Sequence, residues 1–255
     1  MSEHDDADLA LACLDLTSLN DNDDERAIDA LCAKALTRWG PVAAVCVWPR
    51  FVAQARAMLP PQVAVAAVAN FPGGALDAAR ALADTRAIVA AGGDEVDLVL
   101  PWRAMLSGRA AEAAQLVVQV RSACIGKRLK LIIESGELPG GDAIRQACLI
   151  GLDAGVDFLK TSTGKTAQGA TLDAAREMLA AIAAHPRATQ VGFKASGGVR
   201  TVADAAGFVA LARELLGVRA LNPARLRFGA SSLLGDIERV LSGTGDSPAA
   251  AGGGY

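Results

Sequence analysis

A single-domain α/β fold, the (β/α)8 barrel, is what this sequence predicts, on three observations. Short apolar, β-branched segments recur eight times, helical stretches with charged outer faces separate them, and no G-x-G-x-x-G follows an early strand. An open doubly wound sheet is the competing arrangement. The count of eight and the missing dinucleotide fingerprint favour the closed one.

The elements follow in order. CLDLT (13–17) is a short first strand, then VAAVCVW (42–48) and VAVAAVA (63–69). The stretch ALDAARALADTRAIVAAGG has helical spacing and closes on Gly92 and Gly93, as a helix C-terminus should. EVDLVL (95–100), LKLIIE (129–134) and VDFLK (156–160) are the fourth to sixth strands. Thr171 and Asp173 open the helix AAREMLAAIAAH, QVGFK (190–194) is the seventh strand, and Thr201 opens VADAAGFVALARELLG. RFGAS (227–231) is an eighth strand interrupted by glycine. The barrel is assigned to residues 1–242. The remainder, GTGDSPAAAGGGY (243–255), has too little to bury and reads as a mobile tail.

Composition narrows the function. With 255 residues, 52% hydrophobic and 21% charged, the chain can build a large core. A net charge of -3 offers no general attraction to nucleic acid or to an anionic membrane, so an anionic ligand must be caught by a local site. The acidic start MSEHDDADLA lacks the order of a secretory signal, and no apolar run approaches the ~20 residues of a membrane span. A cytoplasmic enzyme or binding protein is expected. Five scattered cysteines contain no C-x-x-C pair, and only His4 and His185 are present. That leaves no histidine triad and no histidine-rich metal site, so neither metal nor organic cofactor is expected.

The charged residues inside the strand segments carry the chemistry. A barrel strand is covered on both faces, so an ion within it needs a partner or a task. Asp15, Asp97, Lys130, Glu134, Lys160 and Lys194 all fall in strands, with Lys130 and Glu134 in one parity and hence on one face. One reading is purely structural: Asp15, Asp97 and Glu134 balance the three lysines as buried ion pairs. Lys160 and Lys194 argue for more, because they end successive strands at the face where barrel enzymes build their sites. A lysine can lose its proton and attack a carbonyl, as arginine cannot. Burial and a second ammonium nearby both favour that neutral form. STGK (162–165), SGGVR (196–200) and GASS (229–232) follow late strands and bring backbone N–H groups, Lys165 and Arg200 to a phosphate. STGKT is no Walker motif, since Leu159 stands five before Gly164.

From LDLTSLN (14–20) to RFGASSLL (227–234), with DEVDLVLP, DFLKTSTGK and GFKASGGVRT in that order, the chain resembles the deoxyribose-phosphate aldolases, a Schiff-base family built on this barrel. The resemblance implies that Lys160 forms the imine, that Lys194 keeps it reactive, and that Asp97 moves protons through a water. It implies that Asp15, Thr17 and Cys46 line the pocket. It gives Gly164, Lys165, Gly197, Gly198, Arg200, Gly229, Ser231 and Ser232 to the phosphate. The partners implied are a sugar phosphate and an aldehyde, and a homodimer fits the family. The chain departs from it at Ser196, where proline is common, at Trp48, where tyrosine is common, and at Ala69, where threonine is common. Tyr255 matches a terminal tyrosine that swings toward the site in some relatives. Two readings remain beside the aldolase: a pyridoxal-phosphate barrel, and a sugar-phosphate-binding barrel without turnover.

Overall fold

The computed structural model describes residues 2–243. The tail over 244–255, with Tyr255, lies outside the described residues. Eight strands close into a barrel: β1 Leu14–Thr17, β2 Ala44–Val47, β3 Ala64–Ala69, β4 Glu95–Val99, β5 Arg128–Ile132, β6 Phe158–Lys160, β7 Gly192–Ser196 and β8 Leu226–Ala230. Every neighbouring pair is parallel, and β1 closes the ring by pairing with both β8 and β2. All eight segments read from the sequence are strands.

Period-two alternation sorts the strand residues into two layers. Leu14 and Leu16, Val45 and Val47, Val96 and Leu98, and Leu129 and Leu131 pack outward into the main apolar core. The residues between them, including Asp15, Cys46, Asp97 and Lys130, are equally buried but outside that core. The two layers differ in chemistry: hydrocarbon between strands and helices, and within the barrel the buried ions beside a smaller apolar cluster that includes Cys46, Val68, Val99 and Ile132. Burying the outer layer drives closure, at roughly 25 cal/mol for each Å² of apolar surface removed from water.

Nine helices of seven residues or more are described: α1 Glu3–Ala12, α2 Glu25–Lys34, α3 Val52–Met58, α4 Ala78–Ala90, α5 Ala110–Ala123, α6 Gly140–Asp153, α7 Leu172–Ala184, α8 Val202–Leu216 and α9 Leu233–Leu241. The starts expected at Thr171 and Thr201 are N-caps whose side chains accept the backbone N–H of Ala174 and Asp204. Helix α1 differs from the acidic leader read from the sequence. Ser2 and Asp5 form a capping box, and Ala7, Ala10 and Leu11 are buried, with α8 and α9 alongside. Its buried face is mostly alanine, so its apolar stripe is weak. No described helix is long and apolar enough to cross a membrane.

Two glycines shape the barrel interior. A Cβ on Gly192 would meet the Phe158 ring at 2.4 Å, and one on Gly229 would meet Lys194 Cε at 2.9 Å and Ser196 Oγ at 2.8 Å. The glycine that interrupts the eighth strand therefore makes room for a lysine.

Candidate active site

Register brings the reactive groups together. Lys160 lies beside Lys194 across the β6–β7 pair, and Asp97 lies beside Lys130 across β4–β5. Lys160 Nζ donates to Asp97 Oδ2 at 2.8 Å, and Lys194 Nζ donates to the same oxygen at 2.8 Å. The other Asp97 oxygen accepts Lys130 Nζ at 2.8 Å. Lys194 is also held by Asp15 Oδ2 at 2.5 Å. Cys46 Sγ points at Asp97 Oδ2 from 3.9 Å, and Thr17 Oγ1 donates to the Asp15 carbonyl at 2.8 Å. The six residues expected at the catalytic end, Asp15, Thr17, Cys46, Asp97, Lys160 and Lys194, thus come together from β1, β2, β4, β6 and β7.

The two lysines are driven apart in protonation. Burial pushes Lys160 below the usual lysine range, and the Lys194 charge adds to that, against the pull of Asp97. Lys194 is equally buried, but the Asp15 and Asp97 carboxylates outweigh burial and hold it above the range. For Asp97, burial opposes charge, yet Lys130, Lys160 and Lys194 keep the carboxyl ionised well below the ordinary value. Burial, then the Asp97 charge, raises the Cys46 thiol, so the sulfur stays protonated. The result is an amine biased toward its neutral form beside an ammonium and a carboxylate both biased toward their charged forms.

The buried charges extend deeper than the sequence reading had them. Lys130 Nζ is 2.5 Å from Glu95 Oε2 and 3.2 Å from Asp15 Oδ2. Arg227 reaches Glu95 Oε1 at 3.0 Å and Asp15 Oδ1 at 2.5 Å. Glu95 and Arg227 were missed, although Glu95 stands two residues before Asp97 and Arg227 two before Gly229. That spacing places each on the interior face. Glu134, expected in the strand on the same face as Lys130, is instead past the end of β5 in a left-handed conformation, φ 55°, where strand parity no longer applies. Its Oε1 accepts the Thr163 N–H at 3.1 Å and the Thr166 hydroxyl at 3.3 Å. Glu134 braces a loop and takes no part in the ion cluster.

Above the lysines, a cavity of about 310 Å³ is lined by Thr17, Gly164, Lys165, Gly197, Gly198, Arg200, Gly229, Ser231 and Ser232, among others. All eight residues expected at the phosphate border this one space. Gly197 and Gly198 have φ of 85° and 89°, successive left-handed residues that only glycine adopts freely. Helix α9 begins after Ser232 without a side-chain cap, unlike α7 and α8, so its first N–H groups remain available beside the cavity.

The departures fall differently. The Ser196 N–H donates to Thr161 Oγ1 at 2.9 Å, a bond proline could not make, while its carbonyl accepts Thr161 and Ser162 hydroxyls at 2.9 Å. Trp48 donates through Nε1 to the Asn20 carbonyl at 3.1 Å and stands edge-on to Phe71, with ring centroids 5.4 Å apart. Ala69 packs with Val65 and Ala67 in the layer under the helices, so that change leaves the pocket's polarity alone.

The chain matches the DeoC/LacD family aldolase over residues 9–236. It is 44% identical over 252 residues to a deoxyribose-phosphate aldolase of Agrobacterium fabrum, covering 98% of this chain and 96% of that one. Among solved structures, a candidate deoxyribose-phosphate aldolase from Coccidioides immitis superposes with a TM-score of 0.80 at 29% identity, covering 92% of this chain and 86% of the other. One from Toxoplasma gondii superposes with a TM-score of 0.86 at 24% identity over 96% and 97%, a likeness of fold.

Proposed function

The chain belongs to the DeoC/LacD aldolase family, and on that footing we propose that it reversibly cleaves 2-deoxy-D-ribose 5-phosphate into D-glyceraldehyde 3-phosphate and acetaldehyde through an imine on Lys160. The observation that carries this reading is the single Asp97 oxygen 2.8 Å from both Lys160 and Lys194. Lys194 alone is also held by Asp15, so burial biases Lys160 toward its neutral form while Lys194 stays biased toward its charged one.

Neutral Lys160 attacks the C1 aldehyde of the open-chain sugar, and loss of water gives a cationic imine, an electron sink next to C2. The ionised Asp97, through a water and with Lys194 close by, takes the proton from the C3 hydroxyl. The C2–C3 bond breaks, glyceraldehyde phosphate leaves, and the same groups return a proton to the enamine carbon. Hydrolysis frees acetaldehyde and restores the amine. Asp15 holds Lys194 in place, and Thr17 and Cys46 line the pocket beside it. Gly164, Lys165, Gly197, Gly198, Arg200, Gly229, Ser231 and Ser232 grip the phosphate and position the scissile bond. The reaction is catabolic, and a cytoplasmic setting agrees with five buried cysteines unpaired by disulfides.

Borohydride added during turnover tests this reading. A reduced two-carbon adduct on Lys160, found by peptide mass spectrometry, is the expected product. Unmodified Lys160 in protein that the sugar phosphate protects from unfolding would leave a binding protein instead.

A further inference from the structure

Imine chemistry at Lys160 requires that no carboxylate be left over to hold a proton on it. The ion pairs beneath the lysine bear on that requirement, because they close into a ring. Asp97 holds Lys130 at 2.8 Å, Lys130 holds Glu95 at 2.5 Å, and Glu95 holds Arg227 at 3.0 Å. Arg227 holds Asp15 at 2.5 Å, Asp15 holds Lys194 at 2.5 Å, and Lys194 returns to Asp97 at 2.8 Å. Three carboxylates alternate with three cations, and every one of the six side chains is at most 4% exposed. Lys160 hangs from this ring as a seventh group, through Asp97 Oδ2.

Barrel interiors are commonly filled with branched apolar side chains, and a buried ion network seldom outdoes such packing in stability. A neutral ring offers something hydrocarbon cannot, a fixed charge total around a titrating amine. Resting on the imine reading of Lys160, we propose that Glu95 and Arg227 are positioning residues that set the pH at which Lys160 becomes a nucleophile. Neither touches the reacting atoms. The groups facing Lys160 are Asp97 on β4, Lys194 on β7 and Cys46 on β2, and Glu95 and Arg227 act through Lys130 and Asp15 on the first two. Removing Arg227 leaves the ring one negative charge in excess, which stabilises protonated Lys160. Removing Glu95 leaves it one positive charge in excess, which does the reverse.

The test is the pH dependence of borohydride trapping at Lys160 with acetaldehyde, in wild type, Arg227→Gln, Glu95→Gln and Arg227→Lys. The acid limb is expected to move up in Arg227→Gln and down in Glu95→Gln, each by on the order of one pH unit, and to return near wild type in Arg227→Lys. A purely structural ring would lower yield in both variants without opposite shifts. Limbs that coincide, or that move the same way, overturn the proposal. Should the buried substitutions fail to fold, Arg128→Gln replaces them. Arg128 reaches Glu95 Oε1 at 2.7 Å from a side chain 35% exposed, and losing its charge should raise the limb by a smaller amount. An unmoved limb in folded Arg128→Gln also overturns it. Wild-type protein that traps nothing at Lys160 would instead reject the imine reading itself.

Discussion

At the scale of single residues, the site depends on a lysine whose burial is only partly compensated. Asp97 offers Lys160 one shared oxygen, while Lys194 has that oxygen and an Asp15 oxygen as well. Unequal shares of carboxylate decide which amine is shifted toward its neutral form. In Lys160→Ala the Asp97 carboxylate still has Lys130 and Lys194, so the variant is expected to fold. Its cleavage activity should fall by about 10³-fold or more, because the neighbouring buried lysines, Lys130 and Lys194, are both held above the usual lysine range. A coupled assay for glyceraldehyde phosphate, with circular dichroism as the folding control, checks this. Appreciable turnover in the folded variant would remove Lys160 from the nucleophile's role.

At the scale of elements, the loops after β6 and β7 act as one piece. The Ala170 N–H donates to the Gly197 carbonyl at 2.9 Å, and a Cβ on Gly169 would meet that oxygen at 2.3 Å. Backbone cannot yield there as a side-chain tip would, so Gly169→Ala must part the loops that carry Gly164, Lys165, Gly197 and Gly198. The expected outcome is a KM for deoxyribose 5-phosphate raised about tenfold, with a much smaller change toward unphosphorylated deoxyribose. Equal loss on both substrates would show that the linkage serves the chemistry and not the phosphate. Glu134 serves the same loop from β5, through Thr163 and Thr166.

At the scale of the whole molecule, the interior ring ties stability to pH. Burial opposes ionisation of Asp15, Glu95 and Asp97, yet neighbouring cations hold all three below the usual carboxylate range. Their contribution is therefore present above the unfolded values near 4 and lost as pH falls through the folded ones. Lys130 and Lys194 are held above the lysine range, so theirs is complete below about 10.4 and lost only at higher pH. The urea midpoint followed by tryptophan fluorescence should be level near neutrality and should drop below about pH 4. A midpoint unchanged down to about pH 3 would mean that the ring is not ionised in the native protein.

The sequence by itself determined the eight strands, the caps at Thr171 and Thr201, and the residues that converge on the site. Period-two alternation and turn chemistry are local properties, and Lys160, Lys194 and Asp97 stand out as ions in apolar segments. Glu95 and Arg227 were legible in principle, each two residues from a residue already singled out, but their pairing joins strands 132 positions apart. Helix α1 was hidden by its alanines, and Glu134 by a left-handed turn that parity cannot foresee. Tertiary structure alone decided which carboxylate serves which amine. Ion pairing in a closed barrel depends on register and on the side chains across it, and neither is written in any one segment.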